Sequence, residues 1–133
     1  YAYTHFDSTV VPLREGLVLF NGARLREDHY PSIFKTWDKI FFEDIIDIGS
    51  SLPNGVSPCS PYIGLNLLMV NPKLAIVDVN QEELRKVLSE HGIESIGLDM
   101  RHARTLSGGF HCVTLDVHRS GSRGDYGLYY SNT

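Results

Sequence analysis

The chain has 133 residues, 42% of them hydrophobic and 21% charged, with a formal net charge of −4. That is the size and make-up of one globular domain with enough apolar surface for a core. No basic run or basic–aromatic stripe is present, which excludes a nucleic-acid partner, and no apolar stretch approaches the roughly 18–20 residues of a membrane span. Two cysteines without CxxC spacing form neither a disulfide framework nor a zinc pattern and predict a reducing, cytoplasmic setting.

The opening YAYTHFDST starts inside a β-like alternation without Met, which predicts a piece of something longer. Residues 2–13 predict a strand, REG (14–16) a turn and LVLFN (17–21) a second strand, together a hairpin. Tyr30 to Asp38, with Pro31 near its start and Ile33, Phe34 and Trp37 apolar, predicts a short helix. KIFFEDIIDI (39–48) predicts a strand, and SSLPNGVSPCSP (50–61) a loop.

The same order then recurs. YIGLNLLMV (62–70) and LAIVDV (74–79) predict strands around a turn at Asn71-Pro72-Lys73. Asn80 predicts a helix cap with Glu83 three residues on. QEELRKVLSEH puts Leu84, Val87, Leu88 and His91 on one helical face, Gly92 ends it, and 93–98 is a strand. Two ββαβ units, about 45 residues apart, predict an α/β propeller-like or solenoid-like array. FHCVTLDVHR then reads as the first strand of a further unit.

Three groups of residues carry candidate chemistry. In a strand, His5 and Asp7 of HFD would share one face, so an imidazole and a carboxylate point the same way; an ordinary surface pair explains them equally. In SGGFHC (107–112), Gly108 and Gly109 would let backbone approach a ligand, and Cys112 is a nucleophile if its surroundings favour the thiolate. A buried structural thiol is the alternative. Arg24 in NGAR has a planar fork suited to a carboxylate, with Cys59-Ser60 as a further polar pair; a solvated loop charge accounts for Arg24 as well. Pattern and spacing do not bring His5, Asp7, Arg24 and Cys112 together.

GGFHCVTLDVHR, with THFDSTVV about 107 residues upstream and NGAR between them, resembles the C-terminal portion of the amidinotransferase family, which belongs with arginine deiminase to the pentein superfamily. The resemblance covers nearly the whole chain. It implies a fold of five ββαβ modules in an α/β propeller, of which this chain is a part: units at about 1–48 and 62–98 and a closing segment at 107–133. It implies Cys112 as nucleophile, His5 as general acid–base, Asp7 on the substrate guanidinium, Arg24 on a substrate carboxylate, and Ser60 with Cys59 where the family often has two serines. Gly108, Gly109 and His111 support the loop, and Ser107 stands where a third glycine is usual.

By the same resemblance the substrates are L-arginine and an amine acceptor, glycine by default, with no metal and no organic cofactor. The full-length enzyme is expected as a homodimer. Two further acids of the family would precede residue 1, so the resemblance implies the C-terminal third of an enzyme, inactive by itself. The tail 118–133 resembles members that make guanidino precursors of cyanobacterial alkaloid toxins. The other readings are a deiminase-like hydrolase on the same fold, a non-catalytic binding module, and a zinc site from His5, Asp7, His111 and Cys112.

Overall fold

Two hairpins, each followed by a crossover to a parallel strand, carry the architecture of the computed structural model, which describes residues 5–48, 55, 59–101 and 107–118. In the first repeat β1 (Val10–Arg14) pairs antiparallel with β2 (Leu17–Asn21), and β2 pairs in parallel with β3 (Asp38–Phe42). In the second, β4 (Leu68–Asn71), β5 (Leu74–Asp78) and β6 (Glu94–Leu98) repeat the order β4-β5-β6 with the same antiparallel and parallel pairings. Even the irregularity recurs, as a register shift between Pro12 and Arg14 and between Met69 and Asn71.

Each repeat is preceded by a 3-10 turn, Phe6–Ser8 before β1 and Ile63–Leu65 before β4. The repeats are thus offset by 57 residues, Leu17 heading β2 as Leu74 heads β5. The offset is longer than the expected 45 or so, and the second repeat's first strand starts at Leu68 and not at Tyr62. At the ends of β2 and β5, Asn21 and Asp78 are both buried, and each side-chain oxygen accepts from the backbone N–H two residues on. Repeats with little identity thus share one local device, an Asx turn.

The second crossover is α1 (Glu82–Glu90), with Leu84 and Leu88 fully buried and Val87 packed beside them. Gly92, at φ 70°, ends the helix as its position predicts. The cap differs from expectation. Gln81 occupies the N-cap, because Asn80 is held by Asp78 Oδ1 at 2.8 Å through its side chain and 2.9 Å through its N–H. The Gln81 amide instead spans the repeats, donating to Ile46 O at 2.7 Å and accepting from Ile46 N at 3.0 Å.

The first crossover holds a 3-10 turn at Ser32–Phe34 in place of the expected helix. Its hydrogen bonds run three residues back, from Phe34 to Pro31 and Trp37 to Phe34. β-Branched and aromatic residues favour helix weakly, and here rings decide: Phe34 packs edge-on to Trp37 at 5.1 Å and to Phe20 at 5.6 Å. This aromatic cluster covers one face of the first sheet. The other face joins one continuous core with the second repeat, from Leu17, Leu19 and Phe42 to Leu65, Val77 and Leu88.

Four expected strands are shorter or absent. The strand at 39–48 stops at Phe42, where its partner β2 ends, and the last ladder bond runs from Gly22 N to Phe42 O. Residues 62–67 form the 3-10 turn and a link, since pairing with β5 begins only at Leu68. His5, Phe6 and Asp7 do not lie on a strand, because the chain turns there before β1. Residues 110–118 form no strand either: Phe110–Val113 is a turn, and no described strand pairs with residues 114–118, leaving Leu115 and Val117 exposed. Residues 2–4, most of the 50–61 loop and the tail 119–133 lie outside the described residues. No helix among the described residues is long and apolar enough to cross a membrane.

Candidate active site

The turn at 6–8 and the turn at 110–113 meet at a single carboxylate. Asp7 Oδ2 accepts from His111 Nδ1 at 3.0 Å and from Cys112 Sγ at 3.2 Å. A carboxylate only accepts, so Nδ1 of His111 carries its proton here. The side chain of Asp7 is 27% exposed and that of His111 61%. Cys112 is exposed, whereas Cys59, the other cysteine, is buried with Ile48 and Ile63 in a small apolar cluster. The choice between structural thiol and presented thiol therefore falls differently for the two cysteines.

The turn carrying Cys112 is held from below by Asn66, which directly follows the Ile63–Leu65 turn before β4. Asn66 Oδ1 accepts from Cys112 N at 3.0 Å, and its main-chain oxygen accepts from His111 N at 3.3 Å. Gly109 makes the approach possible: a Cβ there would lie 2.6 Å from Asn66 Cβ and 2.8 Å from its carbonyl oxygen. Backbone atoms cannot swing aside, so Gly109→Ala should lower stability by about 1–3 kcal/mol, read as a fall in thermal midpoint, and should lift the Cys112 turn from Asn66. Gly108 lies against Cys112 Cβ in the same way. Ser107 adopts φ 61°, the left-handed region that glycine fills most easily, which explains why a glycine suits this position.

Charge at the site is arranged around the carboxylate. Burial pushes the Asp7 carboxyl up, but hydrogen bonds from Cys112 and His111 and the nearby Asn66 amide outweigh it and hold Asp7 below 3.8. Burial also pushes the Cys112 thiol up from 9.0, and the Asp7 carboxylate adds to that shift. In the ligand-free protein Cys112 is thus a thiol with its proton directed at Asp7.

Arg24 organises a second cluster. Its Nη1 donates to Thr9 Oγ1 at 2.7 Å and Ser8 Oγ at 3.3 Å, its Nη2 to Ser60 Oγ at 3.3 Å, and its guanidinium lies 4.7 Å over the Tyr62 ring. Ser60 Oγ also accepts from Tyr62 N at 3.2 Å. Arg24 and Ser60, grouped together from the sequence, thus touch one another. His5 is half-buried at the start of the 6–8 turn, where its carbonyl accepts from the Ser8 and Thr9 hydroxyls. Among the described residues no three His, Cys, Asp or Glu side chains could hold a metal ion.

Sequence reasoning missed Asn66, Ser8, Thr9 and Tyr62. Asn66 left a signal, as the one polar side chain within the otherwise apolar run 62–70. A buried polar group needs partners. The hydroxyls around Arg24 left none beyond ordinary turn composition.

No protein-family profile matches the chain. Known proteins do. The chain is 50% identical over 127 residues to inosamine-phosphate amidinotransferase 1 of Streptomyces glaucescens, covering 95% of this chain and 36% of that one. The structure of inosamine-phosphate amidinotransferase from Streptomyces griseus matches with a TM-score of 0.87 at 46% identity, over 95% of this chain and 36% of its own. SxtG, an amidinotransferase of the saxitoxin biosynthetic pathway from Microseira wollei, matches with a TM-score of 0.80 at 31% identity, over 93% and 34%. The chain therefore spans about a third of the length of these relatives, and its two tandem repeats form part of the pentein fold they share. The chain belongs to the amidinotransferase family.

Proposed function

We propose that the protein moves an amidino group from L-arginine to an amine acceptor through a covalent intermediate on Cys112. The contact between Cys112 Sγ and Asp7 Oδ2 carries this reading, because it puts a nucleophile beside an anion suited to a guanidinium. Guanidinium carbon is a poor electrophile, so the gain comes from holding it against sulfur. A guanidinium arriving at Asp7 neutralises the charge that keeps Cys112 protonated, and the substrate thereby helps to ionise its own attacker.

In the first half-reaction the thiol proton passes to His5 and sulfur bonds to the guanidinium carbon. The bond from that carbon to the ornithine nitrogen breaks, and imidazolium His5 protonates the departing amine. In the second half the acceptor nitrogen attacks the amidino carbon, gives its proton to His5, and the carbon–sulfur bond breaks. Sulfur recovers the proton. Arg24 with Ser60 forms the cationic end for an anionic group on a substrate. A chain with only two cysteines and no CxxC spacing suits the reducing, cytoplasmic setting in which such a thiol persists.

Resemblance alone offers glycine as acceptor. The relatives at 50% and 46% identity are named for inosamine phosphate, and we take that amine as the first acceptor, ahead of glycine and of an alkaloid-toxin precursor. Full-length enzyme given L-arginine with inosamine phosphate or with glycine should release ornithine in step with guanidino product, faster with inosamine phosphate. Citrulline in place of ornithine would mark a hydrolase and overturn the transfer reading.

A further inference from the structure

Asn66 is 2% exposed, and of its polar atoms only Nδ2 is left without a bond, since its backbone N–H donates to Ile63 O at 2.9 Å. Oδ1 takes the Cys112 N–H, the main-chain oxygen takes the His111 N–H, and Nδ2 has no hydrogen-bond partner among the described residues. Leaving a buried amide donor unused costs stability, so a native structure that does so usually keeps the donor for something else. Because Oδ1 is fixed by Cys112 N, the amide plane cannot flip without losing that bond. Nδ2 is therefore held in place, and the Asn66 side chain acts to lower the pKa of Asp7 and to offset part of the upward shift of Cys112.

We propose that Asn66 is a positioning residue for Cys112, fixing the turn through its two oxygens and reserving its amide N–H groups for the sulfur once it has lost its proton. This rests on Cys112 being the nucleophile. The ionisable group that meets Cys112 is Asp7, from the turn before β1, and His111, on the Cys112 turn, binds the same Asp7 oxygen. Asp7 opposes ionisation of the thiol until a guanidinium covers it. Asn66 supplies the neutral donor that favours the thiolate, and it does so from a rigid seat between the Ile63–Leu65 turn and β4.

The test is the pH dependence of iodoacetamide alkylation of Cys112 in the full-length enzyme, followed on the Cys112 peptide by mass spectrometry. Slow labelling of the buried Cys59 reports that each variant is folded. Asn66→Ser keeps a hydroxyl acceptor near Cys112 N–H and removes the amide donors without adding a charge. Alkylation at pH 8 should slow about tenfold, and the inflection of the profile should move up by about one pH unit. Asn66→Ala should move the inflection in the same direction if the serine variant does not fold. A folded variant whose profile overlays that of the parent overturns the proposal. Alkylation reads thiol ionisation whether or not Cys112 takes up an amidino group. A shifted profile without any amidino adduct would count against the reaction and for Asn66; overlaid profiles with the adduct present would count against Asn66 alone.

Discussion

Replacing Cys112 by alanine in the full-length enzyme should abolish amidino transfer, a loss on the order of 10⁴-fold or more in kcat. The side chain is exposed, so the change leaves no cavity and little stability is at stake. Thermal unfolding of the variant should match that of the parent within the small range expected of a surface substitution. Cys112→Ser should be nearly as inactive, because a hydroxyl beside Asp7 is a far weaker nucleophile than a thiolate. A Cys112→Ala enzyme turning over within tenfold of the parent would assign the chemistry elsewhere.

Asp7→Asn should have the next largest effect, and it should move two observables in opposite directions. Asp7 holds the turn bearing His111 and Cys112, and in the proposed reaction it also binds the guanidinium. Loss of that charge should lower kcat/KM for arginine about 10³-fold. The free thiol, however, should become more reactive. Burial is the larger cause of the raised Cys112 value and the Asp7 carboxylate the next, so removing the carboxylate lets the thiol ionise at lower pH. Iodoacetamide should then alkylate Cys112 faster in Asp7→Asn than in the parent at pH 8. A variant that loses activity and thiol reactivity together would show that Asp7 only supports the fold.

The same carboxylate gives an acid limit with a definite sign. Asp7 is held below 3.8 in the folded chain, so it binds fewer protons there than in the unfolded chain. Its bonds to His111 and Cys112 therefore add stability above pH 3.8, which fades as the pH falls through the lowered value. Partial exposure of the carboxylate keeps that contribution small.

Legibility in the sequence followed the range of the interactions involved. The hairpins at REG and Asn71-Pro72-Lys73 and the helix over Leu84 and Leu88 arise from local turn chemistry and 3.6-residue periodicity, and they stand where those signals put them. Strand ends did not follow from pattern, because Phe42 and Leu68 are set by where a partner strand stops or starts. The aromatic run at 30–38 imitated a helix, since contacts spaced three apart serve a 3-10 turn equally well.

At the site, residue types flagged Cys112 and Asp7, but their meeting depends on turns more than a hundred residues apart closing on one another. Only resemblance to a family linked them. Asn66 belongs to neither source: one polar letter in an apolar run, it becomes intelligible when Gly109 is seen resting on its side chain.

The central claim is a covalent amidino group on Cys112, and its most direct measurement is the mass of one peptide. Full-length enzyme incubated with L-arginine and no acceptor, quenched in acid and digested, should show the Cys112 peptide heavier by one amidino group. Adding the acceptor amine before the quench should return that peptide to its original mass as guanidino product accumulates. Ornithine release with an unmodified Cys112 peptide, or an amidino group found on another residue, would contradict the account.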